Sequence, residues 1–354
     1  MEGCKGSALA KGLLGLFFAT IFFAALVPVQ PLFGASAKVY RVADMYPQGH
    51  PIYVGSIKWW IEEMDARTQG KFKAQWYGNS TLVPSPDTTK AVIDGTVQIG
   101  NTNYGSPMIP LQDVISLPNA FEDHQLVAAG KTYARMAQSG PIHDRYEQLG
   151  IKVLFAYATT NYQIFTTKKA ITSLNDFKGL KIRTAGTILP KTISALGGVA
   201  VNMAMGEATD ALQKGVVDGI ALGIPSLKPY PFYDLIKNLN NGFSLGAFPC
   251  IYGMNMAAWK ALPADIKAVM EQVNEATSVH AAEYYLQVLN SDLKEFQAHK
   301  MRIDNLSAAD KKEIAAKVAP IWNEWVDSCE AKKLPGARVA KELKNGIREF
   351  TAAK

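Results

Sequence analysis

Short apolar strands alternate with helices along this chain. Over residues 38–43, Tyr40 and Val42 fall on one side and Val39, Arg41 and Ala43 on the other, which predicts a first strand. A loop from Met45 to Pro51 leads into helical spacing over 52–68 through Val54, Ile57, Trp60, Ile61 and Met64, stopped by Gly70. A strand over 71–77 follows, so the order is β-loop-α-β, the beginning of a parallel α/β lobe. A short helix over 87–94, ended by Gly95, and a strand over 97–100 continue it.

The unbroken apolar run 151–158 predicts a fully buried strand, and 162–167 a second one after the polar Thr159-Thr160-Asn161, where the chain passes between lobes. Strands over 180–184, 199–202 and 218–222 then alternate with helices over 189–196 and 206–214. Apolar residues crowd around Phe248 to Tyr252, and the stretch 242–256 reads as a return crossing; two crossings between lobes make a hinge. Trp259 to Asp265 reads as a helix start, with Pro263 in the first turn. Ile266, Val269, Val273, Leu286, Leu289, Leu293 and Phe296 keep helical spacing as far as Lys300, a helix on the order of 50 Å. Ser307 is placed to cap another helix reaching Trp322 and Trp325, and the Lys- and Ala-rich tail reads as a final surface helix.

Composition narrows this picture. The 354 residues allow two lobes with separate cores, and 48% apolar with 19% charged residues is the balance of a globular protein. The net charge of +6 is scattered, which gives no footprint for nucleic acid but a mild field favouring anions. Lys5 and Lys11 precede an apolar run over 12–26, and Ala35-Ser36-Ala37 closes the segment. This predicts export to the periplasm with a signal peptide, residues 1–37, cleaved near Ala37; an uncleaved anchor is the competing reading, for which the run is short. Cys250 and Cys329 then remain, as a pair or as two buried thiols, too few for a disulfide framework or a cysteine zinc site.

Catalytic constellations are missing. The five histidines show no His-x-x-x-His spacing, Glu62-Glu63 and Asp218 read as helix surface and turn, and there is no phosphate loop. Nothing here calls for a cofactor or a metal, and the chain reads as a binder. Its most informative stretch is 173–186. Leu180 and Ile182 take one face of a strand, Lys181 and Arg183 the other, and Ala185-Gly186 ends it. Arg183 thus stands at a strand's carboxyl end, where ligands collect in open α/β sheets, with a guanidinium that matches a carboxylate. A solvated strand face is the plainer reading of the same spacing.

Asp-Phe-Lys-Gly-Leu-Lys-Ile-Arg over 176–183, Leu196-Gly197-Gly198, and Ala-Leu-Gln-Lys-Gly-Val-Val-Asp-Gly over 211–219 resemble the DctP-type family, the extracytoplasmic solute-binding subunits of TRAP transporters. Residues 95–100, 117–121 and a helix over 125–140 match as well. The resemblance implies a two-lobe α/β periplasmic-binding-protein fold, type II-like, with hinge crossings and a long spine helix. It places the first crossing near 163–169, so that 38–165 is mainly the first lobe, 166–250 mainly the second, and 251–354 the return, the spine helix and the C-terminal helices.

By the same resemblance Arg183 clamps a ligand carboxylate and membrane permease subunits are the partners. Asn161 and Gln163 share one face of the entering segment and are candidates for the carboxylate's remaining lone pairs. Gln163 stands where sialic-acid-binding members carry a second arginine, which suggests a monocarboxylate or a neutral second polar group. Ala221 and Leu222 replace a glutamate and an asparagine of many members, so Leu222 makes an apolar wall. With Tyr104, Phe248 and Tyr46 as aromatic contacts, the expected ligand is an aromatic, branched-chain or keto acid; core packing is the other reading of each aromatic. Two other functions remain open at this point: a periplasmic sensor presenting a small organic molecule to a receptor, and, against the missing catalytic groups, an enzyme on the same scaffold.

Overall fold

Along β1 (Val39–Ala43), Tyr40 and Val42 turn inward and Val39 and Arg41 outward, as the alternation requires. The computed structural model describes residues 38–103 and 108–353, so the export segment and Tyr104 lie outside the described residues. The strands that follow are β2 (Lys73–Tyr77), β3 (Ile99–Asn101), β4 (Ile151–Ala158), β5 (Tyr162–Thr166), β6 (Lys181–Thr184), β7 (Val199–Asn202), β8 (Gly219–Gly223), β9 (Asn238–Asn241), β10 (Pro249–Asn255) and β11 (Arg302–Asn305). They form two sheets, one in the order β2-β1-β3-β10-β4 and the other β11-β9-β5-β8-β6-β7. Helices accompany both, giving the two-lobe α/β architecture.

The chain changes sheets between β4 and β5. Thr159-Thr160-Asn161 therefore make the first crossing, ahead of the expected 163–169, because residues 162–166 already pair with β8 and β9 of the second sheet. The return runs through 242–248, between β9 and β10. The crossings are bonded to each other: Tyr162 N donates to Gly246 O at 2.8 Å, Thr159 N to Phe248 O at 3.2 Å, and Ser244 Oγ to Asn161 Oδ1 at 2.5 Å. Gly246 has φ +98°, and a Cβ there would sit 1.9 Å from the Ser116 carbonyl oxygen, so this contact requires glycine.

The long helix spans Ala264–Ala298, 35 residues and about 52 Å. It begins after Pro263, whose ψ of 152° is extended, so Trp259 belongs to a separate short helix, Met256–Lys260. Met270, Val273 and Ala281 enter the core that holds the first sheet, and Leu289 and Phe296 enter the core under the second. One rigid rod thus belongs to both lobes. It delivers the chain to β11, an edge strand of the second sheet, and so makes a third passage between sheets where the sequence predicted two. Downstream, Pro320 divides the expected single helix into Ala308–Val318 and Pro320–Glu330. Cys250 and Cys329 are buried free thiols, pushed up by burial to about 12 and about 11.

Candidate ligand-binding site

β6 is an interior strand, flanked by β7 and β8. Its exposure does not alternate: Lys181 is in water, whereas Ile182, Arg183 and Thr184 are buried. The solvated-face reading holds for Lys181 and fails for Arg183, which is 1% exposed. Nε and Nη2 of Arg183 both donate to the Met203 carbonyl, at 3.1 and 2.7 Å. Among the described residues no carboxylate pairs with the guanidinium and Nη1 has no hydrogen-bond partner. A guanidinium has five donors, and burial of an uncompensated charge is costly, so an anion reaching Nη1 would remove a large penalty.

Arg183 lines a narrow cavity, and Tyr46, Leu222 and Phe248 line it too. Leu222 is 4% exposed and contributes apolar surface to it. Tyr46 rides on the loop after β1, which Asp44 anchors: its carboxylate accepts from Trp76 Nε1 at 3.0 Å, Tyr252 Oη at 2.8 Å and Met45 N at 2.8 Å. Burial nonetheless pushes Asp44 up to about 6, because three neutral donors do not replace bulk water. Phe248 is fixed by the crossings, its N donating to Thr159 Oγ1 at 2.9 Å. Its ring lies within 10° of parallel to that of Tyr162, with centroids 6.4 Å apart.

Asn161 and Gln163 do not join this cavity. Both line a different one, at the hinge, whose lining shares no residue with the first. Their hydrogen bonds explain why: Asn161 Nδ2 donates to Phe121 O at 3.1 Å and Asp123 Oδ1 at 3.0 Å, and Gln163 Nε2 donates to Phe243 O at 2.8 Å. This corrects the expectation that they complete the carboxylate's partners. Tyr162, between them, faces the Arg183 cavity instead; with a period of two, choosing the wrong face moves every candidate.

His50 and Tyr230 also line the cavity and were not anticipated. The ring of His50 lies 4.4 Å from that of Tyr46 and meets Tyr230 edge-on at 5.7 Å. A signal for His50 was present, since it sits just beyond the carboxyl end of β1 and before a helix. Tyr230 lies in an irregular stretch before the turn Pro231–Leu235, where no periodicity marks it. Across the cleft, Thr187 Oγ1, beyond β6, donates to Asp113 Oδ2 in the first-lobe turn Pro110–Ser116 at 2.6 Å. Among the described residues no group of three or more His, Cys, Asp or Glu side chains is placed to hold a metal ion.

The model of the bacterial extracellular solute-binding proteins, family 7, matches residues 42–328. A solute-binding protein of Chromohalobacter salexigens is 26% identical over 301 residues, 82% of this chain and 86% of the relative. A TRAP periplasmic solute-binding protein of Desulfovibrio salexigens, solved in an open complex, is 26% identical with a TM-score of 0.75, covering 89% of this chain and 97% of the other. A TRAP solute-binding protein of Rhodoferax ferrireducens, solved with copurified benzoate, shares the fold at a TM-score of 0.82 and 21% identity, covering 89% and 99%.

Proposed function

The chain belongs to the bacterial extracellular solute-binding proteins of family 7, the DctP-type binding subunits of TRAP transporters, and from that premise we propose that it captures a monocarboxylate with an apolar body, clamped by Arg183. The observation that carries this reading is the buried guanidinium with a carbonyl behind it and, among the described residues, no carboxylate beside it. In water such a pair contributes little; in a closed cleft the same charge-assisted bonds are far stronger. Leu222, Phe248 and Tyr162 favour an aromatic, branched-chain or keto acid over a sugar, whose hydroxyls would be left without partners against apolar walls. The benzoate found in the Rhodoferax protein is consistent with an aromatic acid here.

Export removes residues 1–37 and places the protein in the periplasm, and membrane permease subunits receive the closed, liganded form. The anchor is tested by thermal unfolding of the secreted form against benzoate, branched-chain and keto acids, dicarboxylates and neutral sugars, beside Arg183→Ala. A ligand at 100 times its Kd should add about 2.7 kcal/mol. A raised midpoint with monocarboxylates that vanishes in the variant is the expected result; stabilisation by sugars, or a variant that keeps the shift, would refute the clamp.

A further inference from the structure

With Asn161 and Gln163 directed elsewhere, Arg183 needs another donor to share a bound carboxylate or to meet a second acceptor on the same ligand. His50 belongs to the first lobe, on the loop between β1 and the following helical turn Tyr53–Lys58, and lines the cavity while only 1% exposed. Its Nδ1 accepts the backbone N–H of Ile52 at 3.1 Å. A ring nitrogen that accepts carries no proton, so the imidazole's proton is on Nε2. No described residue accepts a hydrogen bond from Nε2. Burial pushes the ring down to about 3, so it stays uncharged at neutral pH. Two hydroxyls that share the cavity are already engaged: Thr159 Oγ1 with Thr160 O and Phe248 N, and Ser226 Oγ with Tyr285 Oη.

We infer that His50 donates its Nε2–H to the bound acid and is the first lobe's specificity-determining contact, opposite Arg183 of the second. The inference rests on Arg183 being the carboxylate anchor. One cationic donor and one neutral donor match a single carboxylate with at most one uncharged acceptor, such as a hydroxyl or keto oxygen. A dicarboxylate would bring a second charge to a donor that carries none, which selects against it. Because the two donors come from different lobes, both are satisfied only when the cleft is closed.

Isothermal titration of the secreted form with benzoate, 3-hydroxybenzoate, a branched-chain 2-oxoacid and succinate tests this on wild type, His50→Gln, His50→Met and Arg183→Ala. Glutamine and methionine are close in length, and only glutamine ends in an N–H. For the tightest monocarboxylate, His50→Met should weaken binding roughly ten- to hundred-fold and His50→Gln by less than about five-fold, with succinate bound weakly by all. Matching unfolding midpoints without ligand separate a binding defect from misfolding. A methionine variant binding like wild type, or a glutamine variant as impaired as methionine, overturns the hydrogen bond. If wild type takes no carboxylate, or Arg183→Ala binds normally, the anchor fails first and this inference with it.

Discussion

Arg183 and Asp292 both carry charge almost out of water, at 1% and 2% exposed, and the chain treats them differently. Asp292, on the long helix, receives Lys228 Nζ at 3.0 Å, and Glu295 accepts from the same ammonium. Desolvation still holds Asp292 above the usual carboxylate range, with Lys228 drawing it down. This matched group is architecture: it ties the spine helix to the loop that leads to Tyr230. Arg183 has a carbonyl behind it and no counter-charge among the described residues. The second arrangement costs stability unless a ligand supplies the missing sign, and binding sites accept such costs where structural sites do not.

The sharpest way to break this contrast is Arg183→Met with and without ligand. Methionine fills much of the same volume and removes the unpaired charge, so the ligand-free variant should be as stable as wild type or about 1 kcal/mol more stable. Under saturating monocarboxylate the order reverses, because wild type gains about 2.7 kcal/mol at 100 times Kd and the variant gains none. Equilibrium urea unfolding under both conditions reads the crossing. A variant that is several kcal/mol weaker without ligand would make Arg183 a structural residue.

Lys228→Met should behave in the opposite way. It leaves Asp292 buried without its cation, and the expected loss is about 2 kcal/mol, below the full range for a buried pair because a third of the Lys228 side chain reaches water. The pH sign follows from Asp292. A carboxyl raised in the folded state favours folding while protonated and loses that contribution as pH rises through its folded value. Removing Lys228 raises it further, so the deficit should be small at acid pH, where the carboxyl is protonated, and should grow as pH rises through the folded value. Ligand affinity should not change. A deficit that is independent of pH would remove Asp292 from the explanation.

The sequence displayed the strands with alternation or long apolar runs, such as β1 and β4, and the spine helix through its heptad-like spacing. It hid β9 and β11, Asn-Leu-Asn-Asn and Arg-Ile-Asp-Asn, because each has a single apolar residue and resembles a loop. In β9 the reason is specific: Asn238 and Asn240 are buried and spend their amides on the carbonyls of Lys168 and Ile171, so polar residues occupy core positions. At the site, Arg183, Tyr46, Leu222 and Phe248 were legible because a motif or a strand end marked them. His50 has no metal-ligand spacing to mark it, and only its place beyond β1 sets it apart in the sequence. Asn161 and Gln163 were misplaced because their face could not be assigned until the register of β5 was known.

The smallest expected effect tests that last correction. Gln163→Leu removes the bond to Phe243 O, about 1 kcal/mol, but also removes Oε1, a buried acceptor with no partner among the described residues. The two changes oppose each other, so net stability should move by less than about 1 kcal/mol. Affinity for a monocarboxylate should stay within about twofold of wild type, since nothing lining the Arg183 cavity is altered. A tenfold loss, read by the same titration used for His50, would place Gln163 within reach of the ligand in solution. The hinge cavity and the binding cleft would then act as one site, and the separation between Arg183 and the hinge amides would have to be given up.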